Sequence, residues 1–312
     1  MINAVYMATP EIAVNCLQKL LNFNDLNIQA VVTQPDRPCG RGNRLTPPPV
    51  KEFALAHNIE VFQTESIKND TELKNKLKKL NPDFFITFAF GQILTQEVLD
   101  IPKIATINLH ASLLPKYRGA NPIQRAIYNG DTETGITTMT TVLALDAGDI
   151  CMQEKIKITP DMTDAQLMQI ISDKAPFIMY PTLKQLYNKI LVPQKQDDSL
   201  MTIAKKFKKE DAVIDWSKSA QEIHNHVRSM TTWPVACTNF RDKNIKILKT
   251  EVLNTDVHNS YGTITQITQN GLEISTGKGT LLVKELKPEG KPKMDAYAWS
   301  NGAKVQVGNN FS

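Results

Sequence analysis

Two continuous apolar runs constrain the fold of this chain most strongly. They are DFFITFAF, at residues 83–90, and IATINLH, at residues 104–110. A strand that faces water on one side alternates apolar and polar residues, whereas these runs are apolar almost throughout. Such runs are typical of strands that are covered on both faces, which requires helices on each side of a mainly parallel sheet.

The segments around these runs alternate between strand and helix signals. Thr9, Pro10 and Glu11 predict a capped helix start after the first strand, and Gly130 predicts the end of a later helix. The predicted strands are INAVYMA (2–8), IQAVVT (28–33) and IEVFQ (59–63), and the predicted helices are VKEFALAHN (50–58), DTELKNKLKKL (70–80) and NPIQRAIYNG (121–130). This rhythm predicts an α/β fold with a mainly parallel, Rossmann-like sheet and helices on both faces.

The pattern changes in the second half. Residues 135–159 predict two longer strands around an LDAGD turn, as a hairpin at the sheet edge. A helical region over 163–190 follows, and we expect Pro176 and Pro181 to interrupt it. After a polar stretch come the helix SAQEIHNHVRSM and the short strands VACTNF, NIKILKTEVL, YGTITQIT, GLEISTG and GTLLVKEL. Evenly spaced short strands predict a small β-barrel, and an oligonucleotide-binding (OB-like) barrel is one option. We therefore divide the chain into domains at 1–192 and 212–312, joined by a linker at 193–211.

Composition indicates the cellular setting. No apolar run reaches the roughly 18 residues that a membrane-spanning helix needs, and the first residues lack a secretion signal. Cys16, Cys39, Cys151 and Cys237 form no C-x-x-C pair, so neither a disulfide framework nor a zinc site is indicated. We expect reduced thiols, no metal, no membrane association and a cytoplasmic location.

Charge is unevenly distributed. The net charge is +4, and residues 204–312 hold 16 Lys and Arg against 11 Asp and Glu. A basic C-terminal part is compatible with a polyanionic partner, although an ordinary solvated surface has the same composition.

Candidate catalytic residues follow the second apolar run. Asn108 and His110 are two residues apart on a strand and therefore project to the same side. They lie near its carboxyl end, where open α/β sheets bind ligands. An amide donates hydrogen bonds to an oxyanion, and an imidazole exchanges protons near neutral pH. Asp146 is the candidate carboxylate that would orient the ring, and Asp149 is its rival.

A second candidate is the loop TQPDRPCGRGNRLTPPPVK, residues 33–51. It is long for a connection and carries Arg37, Arg41 and Arg44. Arginines on such a loop suit phosphate recognition, while a solvated surface loop is the alternative.

The fragments TQPDRPCGRG, FAFGQIL, INLHASLLPKYRGANPIQ and LALDAGD together resemble the methionyl-tRNA formyltransferase family. The resemblance runs from MATPEIAV through DAVIDWS into the C-terminal segment and covers nearly the whole chain. The pattern N-x-H-x-S-L-L-P-x-x-R-G is specific for folate-dependent formyltransferases, and the basic loop with the C-terminal domain points to the branch that uses tRNA.

The resemblance implies an enzyme that moves the formyl group of 10-formyltetrahydrofolate, a co-substrate, to the amino group of methionyl-initiator tRNA in translation initiation. It implies a catalytic formyltransferase domain at 1–192, a tRNA-binding OB-like domain at 212–312, and catalytic roles for Asn108, His110 and Asp146. The implied folate-binding residues are Phe90, Gly91, Gln92, Ile93, Leu94, Ser112, Leu113, Leu114 and Pro115. The tRNA-binding candidates are Arg37, Arg41, Arg44, Lys205, Lys206, Lys208 and Lys209. We expect a monomer without a metal.

The chain departs from the family pattern at a few positions. Ala8 and Ala111 stand where the family usually has Gly, and each adds a methyl where backbone approaches the ligand. Phe90 replaces a usual Tyr and Ala147 a usual Thr. None of these changes removes a catalytic group.

Two other functions remain open at this point. One is a folate enzyme of the same fold with a small acceptor, such as a sugar-nucleotide or glycinamide formyltransferase or a formyl-folate hydrolase. The other is an RNA-binding protein without catalysis. The basic loop and the C-terminal domain argue against the first, and the Asn, His and Asp set argues against the second.

Overall fold

The structure is a computed structural model that describes residues 1–40, 42–253, 255 and 259–312. The chain forms two compact units. Unit 1 comprises Met1–Gly119, Thr134–Lys157 and Met168–Ala204, and unit 2 comprises Ala120–Glu133, Ile158–Leu167 and Lys205–Ser312. The elements of each unit are described separately below.

Strands and helices alternate through the first half of the chain. The strands are β1 (Ile2–Ala8), β2 (Leu26–Thr33), β3 (Arg37–Cys39), β4 (Arg44–Thr46), β5 (Glu60–Gln63), β6 (Phe84–Phe88), β7 (Ala105–His110), β8 (Arg118–Gly119), β9 (Glu133–Thr140), β10 (Ile150–Lys157), β11 (Ile203–Ala204), β12 (Cys237–Phe240), β13 (Lys243–Leu253), β14 (Ile264–Thr268), β15 (Gly271–Ser275), β16 (Thr280–Pro288) and β17 (Met294–Asp295). The helices are α1 (Val14–Leu20), α2 (Pro49–Ala56), α3 (Thr71–Leu80), α4 (Gln96–Leu99), α5 (Pro122–Tyr128), α6 (Asp164–Tyr187), α7 (Ala220–Ser229) and α8 (Ala296–Gly302).

Unit 1 is built on a seven-stranded sheet of order β10-β9-β7-β6-β1-β2-β5. β1 pairs in parallel with both β2 and β6, β2 with β5, and β6 with β7, whereas β9 runs antiparallel to β7. The mainly parallel sheet and its β9–β10 edge are confirmed. The chain leaves β1 toward β2 on one side and returns to β6 on the other, so the strand order reverses there. Open α/β sheets bind ligands beside the carboxyl ends of strands at such a reversal.

The expected interruption of the long helix is wrong. α6 runs unbroken from Asp164 to Tyr187 with both prolines inside. Pro176 has no N–H for the carbonyl of Ser172, but the Asn15 side chain donates to that carbonyl at 3.1 Å. Ile171, Ala175, Met179 and Leu183 form a buried row at a spacing of four residues. Burying the three large side chains gains about 1.5–3 kcal/mol each, which offsets the cost of about 3 kcal/mol per interior proline.

The predicted cap at Thr9 is also wrong. The segment after β1 begins with a 3₁₀ turn at Glu11–Ala13 that has no side-chain cap. The Thr9 hydroxyl instead donates to the Phe90 carbonyl at 3.2 Å and accepts from the Gln34 amide at 3.4 Å. It therefore joins the segments that follow β1, β2 and β6.

Unit 2 contains an antiparallel sheet of order β12-β13-β16-β15-β14, with β17 paired to β16. All five strands of the predicted small β-barrel are present and form this antiparallel sheet, so a C-terminal β domain is confirmed. α7 begins at a capping box in which Ser219 and Glu222 bond reciprocally. Trp216, Ile223, Leu281, Trp299 and Phe311 belong to one buried apolar core.

The segment 193–211, predicted as the linker, carries short elements. It holds β11, which pairs in parallel with β8, and two 3₁₀ turns at Asp198–Leu200 and Lys209–Ala212. Within the described residues, no helix is both long enough and apolar enough to cross a membrane.

Candidate active site

Asn108 and His110 end β7 at the carboxyl edge of the sheet. Asn108 stands opposite Thr87 of β6 and Met139 of β9, so neighbouring strands flank it on both sides. Asn108 is half-buried and His110 is 6% exposed. The sheet therefore supplies a rigid support for both side chains at the edge where ligands bind.

The Asn108 amide is oriented by a neighbouring hydroxyl. Thr87 Oγ1 donates to Asn108 Oδ1 at 2.8 Å. Because this bond occupies the amide oxygen, the NH₂ group of Asn108 is the end that is directed away from Thr87. An amide donor held in this way can stabilise a developing oxyanion without reorganising.

The His110 ring is held by acceptors on both sides. Its Nε2 lies 2.8 Å from the Tyr117 carbonyl, and its Nδ1 lies 3.6 Å from Asp146 Oδ2. A carbonyl oxygen only accepts, so Nε2 carries the proton of the neutral ring and Nδ1 is its unprotonated nitrogen. The unprotonated Nδ1 is thus the ring nitrogen on the side of the Asp146 carboxylate.

Asp146 is held in a left-handed conformation, with φ of 49°. Its Oδ2 accepts a hydrogen bond from the Gly119 amide at 2.8 Å. Asp149, the rival carboxylate, is exposed, and its backbone bonds with Thr140. The structure thus brings Asp146 to His110, and it places Asp149 in the turn that begins β10.

The segment Ser112–Pro115 forms a buried corner behind the strand end. Ser112 is fully buried, and its hydroxyl donates to the Lys116 carbonyl at 2.6 Å. Thr137 Oγ1 donates to the Ser112 carbonyl at 2.7 Å. Leu114 is 3% exposed, and the following peptide bond to Pro115 is cis. The Ser112 hydroxyl therefore shapes the turn, whereas the Leu113 side chain is only half-buried.

The segment Phe90–Leu94 follows β6 at the same edge. Phe90 and Leu94 pack into the core with Val5 and Val32. The Gln92 side chain accepts from the Ile67 amide and donates to the Thr64 carbonyl, both at 2.8 Å. Ile93 is 81% exposed. Ile93 is therefore the apolar side chain that this segment offers to a ligand.

Gly91 has a left-handed backbone conformation that is strained for any residue with a side chain. Its φ is +80°, and a Cβ there would lie 2.5 Å from Gln34 Nε2. That nitrogen donates to the carbonyls of Phe90 and Gly91 at 3.2 and 3.3 Å. The segments after β2 and β6 are joined through this contact.

The two alanines that depart from the family pattern lie inside the protein. Ala8 is 0% exposed and Ala111 is 8% exposed. Ala8 pairs with Phe88 in the sheet. Since neither methyl forms an open surface, each is accommodated by packing.

The basic segment 33–51 contains two short strands, β3 and β4, which the sequence does not predict. β3 and β4 pair antiparallel, and Arg37 stands opposite Thr46. Arg37 and Arg44 are exposed, and Arg37 forms an ion pair with Glu65 at 3.3 Å. Lys51 bonds to Asp36, and this bond lowers the pKa of the Asp36 carboxyl. Arg41 lies outside the described residues.

The lysines predicted to bind tRNA flank one buried aromatic residue of unit 2. Lys205, Lys206, Lys208 and Lys209 are exposed, whereas Phe207 is 2% exposed. The Arg125 guanidinium carbon lies 3.6 Å from the centroid of the Phe207 ring, and Arg125 Nε donates to the Lys205 carbonyl at 3.0 Å. Two lysines thus stand on each side of an anchored residue.

Within the described residues, no group of three or more His, Cys, Asp and Glu is arranged to hold a metal ion. Several side chains that support the site were also not identified from the sequence. Thr87 lies inside an apolar run. The sequence marks Arg118 only as part of the N-x-H-x-S-L-L-P-x-x-R-G pattern. Gln196 lies in the predicted linker, where no local signal marks it.

The comparisons with known proteins cover nearly the whole chain. A profile of the formyl transferase family matches residues 4–183, and one of the formyl transferase C-terminal domain matches residues 206–304. The chain is 43% identical over 303 residues to a methionyl-tRNA formyltransferase of Clostridium novyi (strain NT), covering 97% of each protein.

Solved structures share the fold. An N-formyltransferase from Helicobacter canadensis in complex with folinic acid and dTDP-3-aminofucose matches with a TM-score of 0.68 at 20% identity, covering 91% of this chain and 99% of that one. A methionyl-tRNA formyltransferase from Clostridium thermocellum matches with a TM-score of 0.55 at 19% identity, covering 89% of this chain and 100% of that one.

Proposed function

The chain belongs to the methionyl-tRNA formyltransferase family, and on that premise we propose that it transfers the formyl group of 10-formyltetrahydrofolate to the amino group of methionyl-initiator tRNA. The observation that carries the proposal is the 43% identity over 97% of the chain, which spans both the strand that bears Asn108 and His110 and the C-terminal domain. The product would be the formylated initiator tRNA that starts translation.

The reaction exchanges one C–N bond for another. The methionyl amine attacks the formyl carbon and forms a tetrahedral intermediate with an oxyanion. Collapse of this intermediate breaks the bond between the formyl carbon and the folate nitrogen N10. The amine loses one proton, and the leaving nitrogen gains one.

We assign the oxyanion contact to the NH₂ group of Asn108, because Thr87 already holds its amide oxygen. We assign to His110 the transfer of a proton from the attacking amine to the leaving nitrogen. Asp146 stabilises the imidazolium between these steps, since its carboxylate lies 3.6 Å from Nδ1. The Tyr117 carbonyl keeps the other ring nitrogen protonated.

The folate would bind along the carboxyl edge of the sheet. The segments 90–94 and 112–115 follow adjacent parallel strands and so end at the same edge as Asn108. Exposed Ile93 and the backbone of both segments would contact the pterin, while Ser112, Leu114 and Gln92 hold the segments in shape.

The tRNA would contact two basic surfaces. One is the basic segment 33–51 with Arg37, Arg41 and Arg44, and the other is the lysine run at 205–209. Phosphate contacts by these residues would make tRNA binding dependent on salt. We also propose that the protein acts as a monomer in the cytoplasm and needs no metal.

One assay distinguishes this function from its rivals. The protein is incubated with 10-formyltetrahydrofolate and methionyl-initiator tRNA, and formyl-methionine is measured after release from the tRNA. A small-acceptor formyltransferase would instead formylate an amino sugar nucleotide or glycinamide ribonucleotide, a hydrolase would release formate, and an RNA-binding protein would consume no folate. Each of these three outcomes would overturn the proposal.

A further inference from the structure

Gln196 is a buried side chain in the segment that the sequence presents as a linker. It is 5% exposed, although the residues on either side of it are exposed. Its Nε2 donates to the carbonyl of Asp146 at 2.8 Å and to the carbonyl of Gly148 at 2.7 Å. One amide group therefore ties down both ends of the turn that carries the candidate carboxylate.

The other end of the Gln196 amide is fixed as well. Its Oε1 accepts from Arg118 Nε at 3.0 Å and from Arg118 Nη2 at 2.7 Å. Arg118 is itself buried, at 6% exposure. The next residue, Gly119, donates its amide to Asp146 Oδ2. The Arg118–Gly119 pair thus holds the carboxylate directly and also holds its backbone through Gln196.

The backbone conformation of the turn at residues 146–148 needs stabilising contacts from other residues. Asp146 has a left-handed φ, which is uncommon for residues other than glycine and costs free energy. Gly148 packs so closely that an added Cβ would meet the Thr140 carbonyl oxygen. A buried carbonyl without a donor is destabilised, and Gln196 supplies the donor for both carbonyls of the turn.

We propose that Gln196 is a positioning residue for the reaction, and that it acts by holding the Asp146 carboxylate in place beside His110. The inference rests on the proposed function, because it takes Asp146 to be the carboxylate that supports the histidine. Residues 193–204 would then form part of the catalytic site as well as connecting two parts of the chain.

The test distinguishes the donor end of the Gln196 side-chain amide from its acceptor end. Gln196→Glu keeps an acceptor for Arg118 and removes the donor for the two turn carbonyls. Gln194→Ala is the matched control, since Gln194 is exposed and bonds to Ile150 through its backbone. Turnover is measured with formyl-folate and methionyl-tRNA and is expressed per folate-binding site, so that unfolded protein does not count.

We expect Gln196→Glu to lower kcat roughly tenfold or more, the scale of a misplaced catalytic group, with little change in KM for either substrate. Gln194→Ala should match the wild type. In the double variant Gln196→Glu with Asp146→Ala, the loss should be no greater than that of Asp146→Ala alone, because both act through one carboxylate.

Losses that add in the double variant would show that Gln196 does not act through Asp146. If the wild-type protein formylates methionyl-tRNA, an unchanged kcat in Gln196→Glu would overturn the inference. An inactive wild-type protein would instead count against the proposed function.

Unit 2 also carries an exposed indole, that of Trp233. Trp233 is 54% exposed, whereas the other two tryptophans, Trp216 and Trp299, are 5% and 7% exposed. Among the residues that the structure describes, no aromatic ring or cation stacks on Trp233. The indole is thus presented to the surroundings.

The segment that carries Trp233 is held by a buried carboxylate. Asp164 is 0% exposed and accepts from the amides and hydroxyls of Thr231 and Thr232. Gln124 Nε2 donates to the Trp233 carbonyl at 2.8 Å. A buried carboxylate is costly unless it is well hydrogen-bonded, and here all of these bonds fix the position of one exposed loop.

Helix α5, which carries Gln124, also holds the lysine run at 205–209. Gln124 holds the Trp233 carbonyl, and the next residue, Arg125, holds the Lys205 carbonyl. An exposed aromatic ring and exposed lysines are thus anchored by adjacent residues of one helix. Proteins bind single-stranded nucleic acid with such groups, because bases stack on aromatic rings and phosphates contact cations. We infer that Trp233 stacks on an unpaired base of the tRNA, which rests on the proposed function in naming tRNA as the partner.

Fluorescence and salt dependence test this contact. Adding initiator tRNA should quench the emission of the exposed indole, and Trp233→Leu should abolish that quenching. Trp233→Leu should also weaken tRNA binding about fivefold or more while leaving the slope of affinity against salt unchanged, because stacking releases no counterions. Lys206→Ala should reduce that slope.

Tyr261→Leu is the matched control, because Tyr261 is an aromatic residue of unit 2 with 55% exposure. It should bind tRNA like the wild type. Equal tRNA affinity of Trp233→Leu and the wild type would overturn the contact even if the enzyme formylates methionyl-tRNA. A reduced salt slope in Trp233→Leu would contradict stacking as its basis.

Discussion

The hydroxyl of Thr87 donates a hydrogen bond to the amide oxygen of Asn108 across two paired strands, at 2.8 Å. Thr87→Val removes this donor and nearly preserves the shape of the side chain. We expect kcat to fall roughly three- to tenfold, since one lost hydrogen bond of about 1 kcal/mol frees the Asn108 amide to turn. Steady-state kinetics with methionyl-tRNA measure the effect, and KM should change little.

A neighbouring threonine provides the control for this variant. Thr106 lies on the same strand as Asn108 and is buried, and its hydroxyl has no hydrogen-bond partner within the described part of the chain. Thr106→Val should leave kcat unchanged and should not lower stability. Equal effects of the two substitutions on kcat would contradict the orienting role of Thr87.

Removal of either catalytic candidate should have a larger effect. Asn108→Ala removes the oxyanion donor and His110→Ala removes the proton carrier, and each should lower kcat about 10²-fold or more. Single-turnover measurements at saturating substrates check this, because they isolate the chemical step from product release. A rate near that of the wild type in either variant would remove that residue from the mechanism.

The parts of the fold that depend on local patterns could be predicted. The apolar runs that form β6 and β7 identify strands buried on both faces, and residues at i and i+2 of β7 necessarily share a side. Asn108 and His110 could therefore be placed together from sequence alone.

The supporting contacts depend on register and long-range chain return, which no local pattern records. Thr87 meets Asn108 only because β6 and β7 pair in one register. Gln196 reaches Asp146 from 50 residues further along the chain. The unbroken α6 likewise depends on Asn15, a distant residue that satisfies the carbonyl freed by Pro176.

Cys39 offers a direct probe of the basic hairpin. It is exposed on β3 opposite Arg44, whereas Cys16 and Cys151 are buried and burial raises the pKa of each thiol to about 12. Cys237 is half-buried, so at pH 8 we expect the exposed Cys39 to react fastest with an alkylating reagent. If the hairpin contacts tRNA, initiator tRNA should slow the labelling of Cys39, as mass spectrometry of the modified peptide would report.

The control for this footprint is a tRNA concentration series in high salt. Salt weakens phosphate contacts, so the protection of Cys39 should disappear as binding is lost. Labelling of Cys39 that is unaffected by saturating tRNA would argue that the hairpin is not part of the tRNA-binding surface.

The stability of unit 2 should depend on pH through His226. This side chain is 7% exposed and lies edge-on to the Tyr128 ring, and burial lowers its pKa to about 4. The unfolded chain binds a proton near pH 6.5 and the native state only near pH 4, so stability is complete above pH 6.5 and is lost as the pH falls between these values.

At pH 5 the loss of stability should be about 2 kcal/mol. His226→Phe removes the titration along with Nε2, which has no hydrogen-bond partner among the described residues. The urea midpoint of this variant should fall less between pH 7 and pH 5 than that of the wild type. Emission from Trp216 and Trp299, which lie in the core of the same unit, follows the transition. Parallel pH dependences in the two proteins would rule out His226 as the source of acid sensitivity.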